Sequence, residues 1–278
     1  MKRIVTGCIV LCTVMTGFAQ TDTTGSHSDT IKVGTMIIVR KPGGGSNETW
    51  KEKHVIFSNN NHYYKPSNIS TNWIILDIGF ANYNDKTNYA AAVSSGFIDA
   101  GVGKDQLKLK AIKSVNVNVW LFMQRMNLIK HVVNLKYGLG LELNNYRFDD
   151  KQIRFEKDPT HIGIDESLVN VKKNKLAADY ITVPLMLNFN FTPHHGRGFG
   201  FSAGVSAGYL YSARQKIKIG HNKSKLHDDF DLERWKVSYV GELNLGPIRL
   251  YGSYAFKSMW SKALDQTPYT VGLRFSNW

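Results

Sequence analysis

The sequence predicts an all-β protein: an eight-stranded antiparallel transmembrane β-barrel with a periplasmic N-terminal extension. Three observations predict it. Eight stretches alternate apolar and polar residues one by one, the connectors between them are by turns long and short, and a secretory leader stands in front. The clearest stretches are Ser114–Gln124 (SVNVNVWLFMQ), Val133–Asn144 (VNLKYGLGLELN) and Phe199–Ser212 (FGFSAGVSAGYLYS). A period of two marks a strand with one apolar face, and about 9–11 residues is the length that crosses a bilayer as a tilted strand.

The leader comes first. Met1–Ala19 opens with Lys2 and Arg3, continues through an apolar run and ends Gly17-Phe18-Ala19, so cleavage is expected after Ala19. The run is too short for a membrane anchor. Cys8 lies too near the N-terminus to be a lipoprotein cysteine, and Cys12 follows the oversized Leu11. Both cysteines leave with the leader, so no disulfide framework or thiol chemistry is expected of the mature chain. No later stretch reaches eighteen consecutive apolar residues, which removes membrane-spanning helices from the reading.

Residues 20–72 form the extension. It holds a TDTTGSHSDT linker, a strand-like IKVGTMIIVR (Ile31–Arg40) and then Pro42-Gly43-Gly44-Gly45. By strand parity it lies in the periplasm, where it would pair with the barrel rim, plug the lumen, contact a partner or stay disordered. The barrel itself is read over 73–278, with strands at Trp73–Tyr83, Ser114–Gln124, Val133–Phe148, Asp179–Phe191, Phe199–Ser212, Leu232–Leu245, Ile248–Lys257 and Tyr269–Phe275. The first, third, fifth and seventh connectors are long and polar. The second, fourth (192–198) and sixth (Gly246-Pro247) are short, the asymmetry of short periplasmic turns and longer external loops.

Alternation alone does not say which face points outward, and a soluble lipocalin-type barrel or sandwich would put the apolar face inside. Two features favour the membrane. The apolar face, from Ile74, Leu76 and Ile78 to Val271, Leu273 and Phe275, carries no charge. The other face is crowded with small or hydrogen-bonding residues such as Gly138, Gly140, Ser202, Ser206, Asn116 and Asn118, which suit a narrow interior. Aromatic residues at the strand ends read as two interfacial girdles: Trp73, Phe189, Phe191, Phe199, Phe201 and Phe275 by the short turns, and Tyr83, Tyr146, Tyr209, Tyr211, Trp235, Phe256 and Tyr269 by the long loops. Pro184 cannot donate to a ladder, so a bulge or break is expected in the fourth strand. Trp278 is out of phase with Phe275.

The interior is expected to hold a structural network of charges: Asp77, Lys136, Glu142, Arg234, Lys236, Glu242, Arg249 and Arg274, with Lys257 beside them. Charges in a narrow lumen pair and close it, because leaving them unpaired is costly. No catalytic, cofactor or metal residue is assigned. The chain has no HExxH, GxSxG, Walker or dinucleotide-binding glycine pattern. His131 with His194-His195, and His221 with His227-Asp228-Asp229, are too loosely spaced to define a metal site. An exported chain rarely meets nucleic acid, so the net charge of +13 is read either as ordinary solubility charge on the loops or as a match for outer-membrane lipid and lipopolysaccharide.

The stretches DTIKVGTMIIV, NWIILDIGFANYND, HVVNLKYGLGLELNNYRF and Tyr180–Phe189 (YITVPLMLNF) together resemble the outer-membrane β-barrel proteins of Bacteroidota, the group that includes PorT-like proteins. The resemblance implies a barrel, and through the PorT-like members a link to type IX secretion. It carries no catalytic residue. The expected role is a non-enzymatic structural or binding component of the cell envelope, helped into the membrane by the barrel assembly machinery and able to meet an envelope protein through residues 20–72. The alternatives are an accessory of a type IX-like secretion system and an outer-membrane lipid-modifying enzyme.

Overall fold

The structure is a computed structural model that describes residues 29–33, 36–40, 67–193 and 198–276. The expected leader, Trp278 and His194-His195 lie outside them. Two units separate by their internal contacts, residues 1–62 and 63–278. In the first, β1 (Asp29–Val33) and β2 (Met36–Arg40) form an antiparallel hairpin whose backbone pairs Ile31 with Ile38. This hairpin falls on the strand-like stretch of the extension.

The second unit is the barrel. Its wall is built from β3 (Ile69–Asp85), β4 (Val115–Ile129), β5 (Val133–Arg147), β8 (Val171–Asn190), β9 (Phe199–Ile219), β11 (Trp235–Leu245), β12 (Ile248–Ala255) and β13 (Gln266–Phe275). Each strand pairs antiparallel with the next. β13 pairs with β3 (Val271 opposite Phe80), which closes the ring and leaves the wall with no edge. These are the eight strands the alternation marks, with shifted ends. The fourth begins at Val171, eight residues before Asp179, because Lys172, Lys173, Asn174 and Lys175 break the apolar alternation in sequence although Val171, Asn174 and Leu176 are buried.

The alternation separates two faces. Ile78, Phe80, Ile181, Val183, Leu185, Val237, Leu243, Val271, Leu273 and Phe275 are exposed around the outside, while Asn116, Asn118, Asn144, Asn188, Ser202 and Ser206 are buried within. An apolar exterior wrapped around a polar interior is the inverse of a soluble barrel and matches a wall immersed in lipid. The wall has local irregularities. Ile74 has positive φ, so Trp73 and Ile74 both face out and Ile75 turns inward. The β4–β5 register shifts between Trp120 and Phe122. Opposite Pro184 the β5–β8 ladder lapses between Tyr137↔Leu185 and Gly140↔Thr182 without a change of register, a break rather than a bulge.

The two girdles form in part. Trp73, Phe191, Phe199, Phe201 and Phe275 are exposed at the short-turn end, and Tyr209, Tyr211, Trp235, Phe256 and Tyr269 at the other. Tyr83 and Tyr146 are corrections. Both turn inward, Tyr146 fully buried and the Tyr83 hydroxyl donating to the Leu107 carbonyl, because the long loops offer them an apolar roof to pack under.

That roof is the main departure from the sequence reading, which treats the long connectors as polar loops. They contain α1 (Tyr89–Ser94), whose N-terminus is capped by the Asn88 side chain accepting from the Ala91 N–H at 3.2 Å. They also contain the hairpin of β6 (Ile153–Glu156) and β7 (His161–Ile164), and β10 (Asn222–His227), which pairs with the end of β9 that runs beyond the wall. Phe97, Ile98, Leu107, Phe148, Ile153, Phe155, Ile162, Phe230, Trp260 and Leu264 come from all four connectors and bury one another in a single apolar cap.

Candidate functional site

Two structures close this barrel: a charge group inside the wall and the cap above it. The charge group forms because inward positions on four strands, β3, β5, β11 and β13, meet in a space that glycine keeps open. Gly79 and Gly272 face each other across β3 and β13, and a Cβ on Gly272 would stand 2.4 Å from the Gly79 Cα. Their missing side chains admit Tyr251, whose Cε1 would be 2.7 Å from that Cβ. Gly140 likewise receives the Trp120 ring.

Within this space Asp77, wholly buried, accepts four hydrogen bonds: from Arg274 Nε (2.7 Å) and Nη2 (2.6 Å), from Trp120 Nε1 (2.7 Å) and from Asn118 Nδ2 (3.2 Å). That fills the acceptor capacity of a carboxylate. Arg274 also meets Glu242, which pairs with Lys136. Glu142 pairs with Lys236 and accepts from Asn144 Nδ2 at 3.0 Å. The Arg274 guanidinium lies between the Trp120 and Tyr251 rings, 5.5 and 6.0 Å from their centroids. Tyr251 donates to Asn116 at 2.5 Å, and Asn116 donates to Asn118 and Asn144 at 2.9 Å each.

Three acids thus face three bases in this group, and Arg125, directly opposite Lys136 on β4, adds a further cation beside it. Of the eight residues read from the sequence as a lumen network, the structure brings together Asp77, Lys136, Glu142, Lys236, Glu242 and Arg274. Arg249 lies towards the short-turn mouth, donating to the Ser276 carbonyl at 2.5 Å and within electrostatic reach of Lys136. Arg234 is a correction: β11 starts one residue later, and Arg234 lies in the preceding loop, 70 % exposed and 3.8 Å from Asp229. Lys257 is also exposed beyond its strand. Alternation gives the face of a strand residue but fails at a strand's end, where there is no pleat to set direction.

Below the charges Ile75, Trp120, Met123 and Met186 pack as an apolar layer. The space left beside Asn118, Glu142, Glu242 and Arg274 is a cavity of about 30 Å³, room for one or two water molecules.

Phe155 is the centre of the cap. Its ring lies 5.7 Å from Phe148, 5.4 Å from Phe230 and 6.0 Å from Trp260, and Trp260 meets Phe97 edge-on at 5.9 Å. The hairpin is tied to the wall by polar side chains. Gln215 accepts from the Phe155 N–H (3.0 Å) and donates to the Ile153 carbonyl (2.9 Å), and Asn174 donates to that carbonyl at 2.5 Å. The signal that could have revealed this was present: Ile153-x-Phe155 and Ile162-x-Ile164 flank a polar Asp158-Pro159-Thr160 stretch, an apolar alternation on either side of a turn.

One histidine binds two loops together. His161 Nδ1 is 2.9 Å from the Gly96 carbonyl and Nε2 is 2.8 Å from Asp99 Oδ1. Both partners are acceptors, so the ring satisfies both only when it carries two protons, and neither nitrogen is left to activate a nucleophile. Its pKa is held above the ordinary histidine value, first by the Gly96 carbonyl and then by Asp99, against a lowering from burial. Among the described residues no group of three His, Cys, Asp or Glu side chains is placed to hold a metal ion.

A closed eight-strand ring with an apolar exterior, a polar interior and a loop cap defines an outer-membrane β-barrel. The chain belongs to the outer membrane protein beta-barrel domain family, which it matches over residues 77–259. Among solved structures it is similar to Ail, the attachment invasion locus protein of Yersinia pestis, at 10 % identity and a TM-score of 0.29, covering 74 % of this chain and 98 % of that one. A second structure of Ail, in complex with the heparin analogue sucrose octasulfate, aligns over the same shares at 10 % identity with a TM-score of 0.28. No curated protein matches the sequence.

Proposed function

We propose that this protein is a non-enzymatic envelope barrel that conducts nothing through its lumen and acts through its long-loop end, as a structural or binding component of the outer membrane. The observation that carries the reading is the group of six paired charges across the lumen, beside which only about 30 Å³ is left unfilled. A porin needs a water-filled path, and this interior is occupied by its own side chains. In this reading residues 1–19 are removed on export, residues 20–72 and the C-terminus face the periplasm, and the long loops face outward. Reconstitution into planar bilayers tests it. Silent bilayers are expected, and stable single-channel steps from the unmodified protein would refute a closed lumen.

The β1–β2 hairpin favours a second reading. It falls in the DTIKVGTMIIV stretch that resembles PorT-like proteins of Bacteroidota, and an ordered element ahead of the barrel is a surface on which a secretion partner could dock. Affinity purification with and without residues 20–72 separates the two readings. A partner lost with the extension supports an accessory secretion role, and the same partner set in both preparations counts against it.

A further inference from the structure

The wall of the barrel does not end level. β11 stops pairing with β9 at Trp235↔Tyr209, whereas β9 continues to Ile219, with β8 on one side (Ala178↔Ala213 to Val171↔Ile219) and β10 on the other (His227↔Arg214 to Asn222↔Ile219). A three-stranded flap, flanked by the end of β5, therefore stands above the girdle. One face of it, with Tyr146, Leu176 and Gln215, is buried in the cap.

The opposite face is cationic. Directly opposed residues share a face of a sheet, and the register aligns Arg147, Lys175, Lys216 and Lys225 across four strands. Two residues further out it aligns Lys173, Lys218 and Lys223. Arg214 adds an eighth cation on this face and is paired with Asp179 at 2.5 Å. The two rows themselves contain no acidic residue. Like charges directly opposite one another destabilise a sheet, so a seven-cation double row is a local cost that folding does not explain. The Lys175 ammonium registers it: its pKa is pushed down to about 8, first by burial and then by Lys173, Lys216 and Arg214.

Position says what would neutralise the rows. A bulge at Tyr211, where the β8–β9 register shifts between Asp179 and Tyr180, reverses the alternation of β9, so the rows lie on the face that carries Ile181 lower on β8 and Tyr209 and Tyr211 lower on β9, all exposed where the wall meets lipid. With a rise of about 3.3 Å per residue and a tilt near 40°, Arg214 to Lys218 stand roughly 8 to 18 Å above Tyr211. A phospholipid headgroup layer is only about 5–7 Å deep. The anion at this height belongs to a taller headgroup.

We infer that the outward face of the β8–β9–β10 flap, through Arg147, Lys173, Lys175, Lys216, Lys218 and Lys225, is a binding site for the phosphates of a saccharide-bearing outer-leaflet glycolipid. The inference rests on the reading that the long-loop end faces outward. Membrane-adjacent lysines each contribute enough that removing three lowers affinity on the order of a hundredfold.

The test is native mass spectrometry of the full chain in detergent, titrated with purified rough lipopolysaccharide, the same material dephosphorylated, and phosphatidylglycerol. The unmodified protein should retain phosphorylated lipopolysaccharide, and a Lys173→Gln, Lys216→Gln, Lys218→Gln triple variant should lose it about a hundredfold, while the corresponding triple change to Arg keeps it. Equal retention of the dephosphorylated material or of phosphatidylglycerol, or no loss in the glutamine variant, would overturn the site. Displacement by inorganic pyrophosphate at the same concentration as by lipopolysaccharide would make this a small-anion site and overturn the glycolipid. Heat-modifiable migration on gels confirms that each variant is folded. Labelling of Lys223→Cys on intact cells by an impermeant maleimide reports orientation separately, so failure of that reading is distinguishable from failure of the site.

Discussion

Phe155→Ala is the substitution that most sharply separates the cap from the wall. Phe155 has no exposed surface, and its ring contacts Phe148, Phe230 and Trp260, which belong to three different connections. Truncating a fully buried Phe costs about 3–5 kcal/mol, through lost transfer energy and an unfilled cavity. The polar tether survives the change, since Gln215 and Asn174 bond to the hairpin backbone and not to the Phe155 ring. The loss should therefore fall on the cap, where 3–5 kcal/mol corresponds to a hundred- to few-thousandfold increase in opening. Hydrogen exchange by mass spectrometry in detergent micelles reads this directly. Peptides spanning 153–164 should exchange faster by about that factor, peptides from β11 and β12 should keep wild-type rates, and the protein should remain heat-modifiable. Bilayers should stay silent, because the charge group lies below the cap. Hairpin rates within tenfold of wild type would refute the role given to Phe155, and equal acceleration of the wall strands would refute a cap that opens on its own.

Three further outcomes follow from the geometry. Asp77→Ala leaves Arg274, Trp120 and Asn118 without their shared acceptor, and breaking a buried ion pair from one side costs about 3–5 kcal/mol; the urea midpoint for loss of heat-modifiable folding should fall accordingly, and an unchanged midpoint would show the group contributes nothing to stability. Gly140→Ala places a Cβ 2.7 Å from the Trp120 ring and 2.8 Å from its Cα, an overpacking expected to cost about 1–3 kcal/mol, read in the same unfolding series. Because the His161 pKa is raised in the folded protein, its contribution is complete below about pH 6.5, the unfolded value, and is lost as pH rises through the folded value. Once intrinsic rates are corrected for, the Asp99 and Ile162 amides, which bond to the Ile162 and Phe97 carbonyls, should be better protected at pH 5.5 than at pH 8.5. His161→Gln should abolish the difference.

The sequence by itself determined the wall. Which residues face lipid and which face inward is a local property of a pleated strand, written at a period of two, and Ile78, Val183 or Leu273 could be placed on the outer face from their neighbours alone. The lumen residues Asp77, Lys136, Glu142, Lys236, Glu242 and Arg274 were legible for the same reason, although not who pairs with whom: Asp77 and Arg274 are 197 positions apart and meet only because β13 closes onto β3. Three things only the tertiary structure decided. Arg234 left the network because direction is undefined one residue beyond a strand. The polar-looking connectors became an apolar cap because residues such as Phe97, Phe155, Phe230 and Trp260, scattered in ones and twos through polar stretches, bury one another only once the barrel holds four loops over one mouth. And the lysines of β8, β9 and β10 became a surface because register between strands aligns them side by side, a relation that separation along the chain does not record.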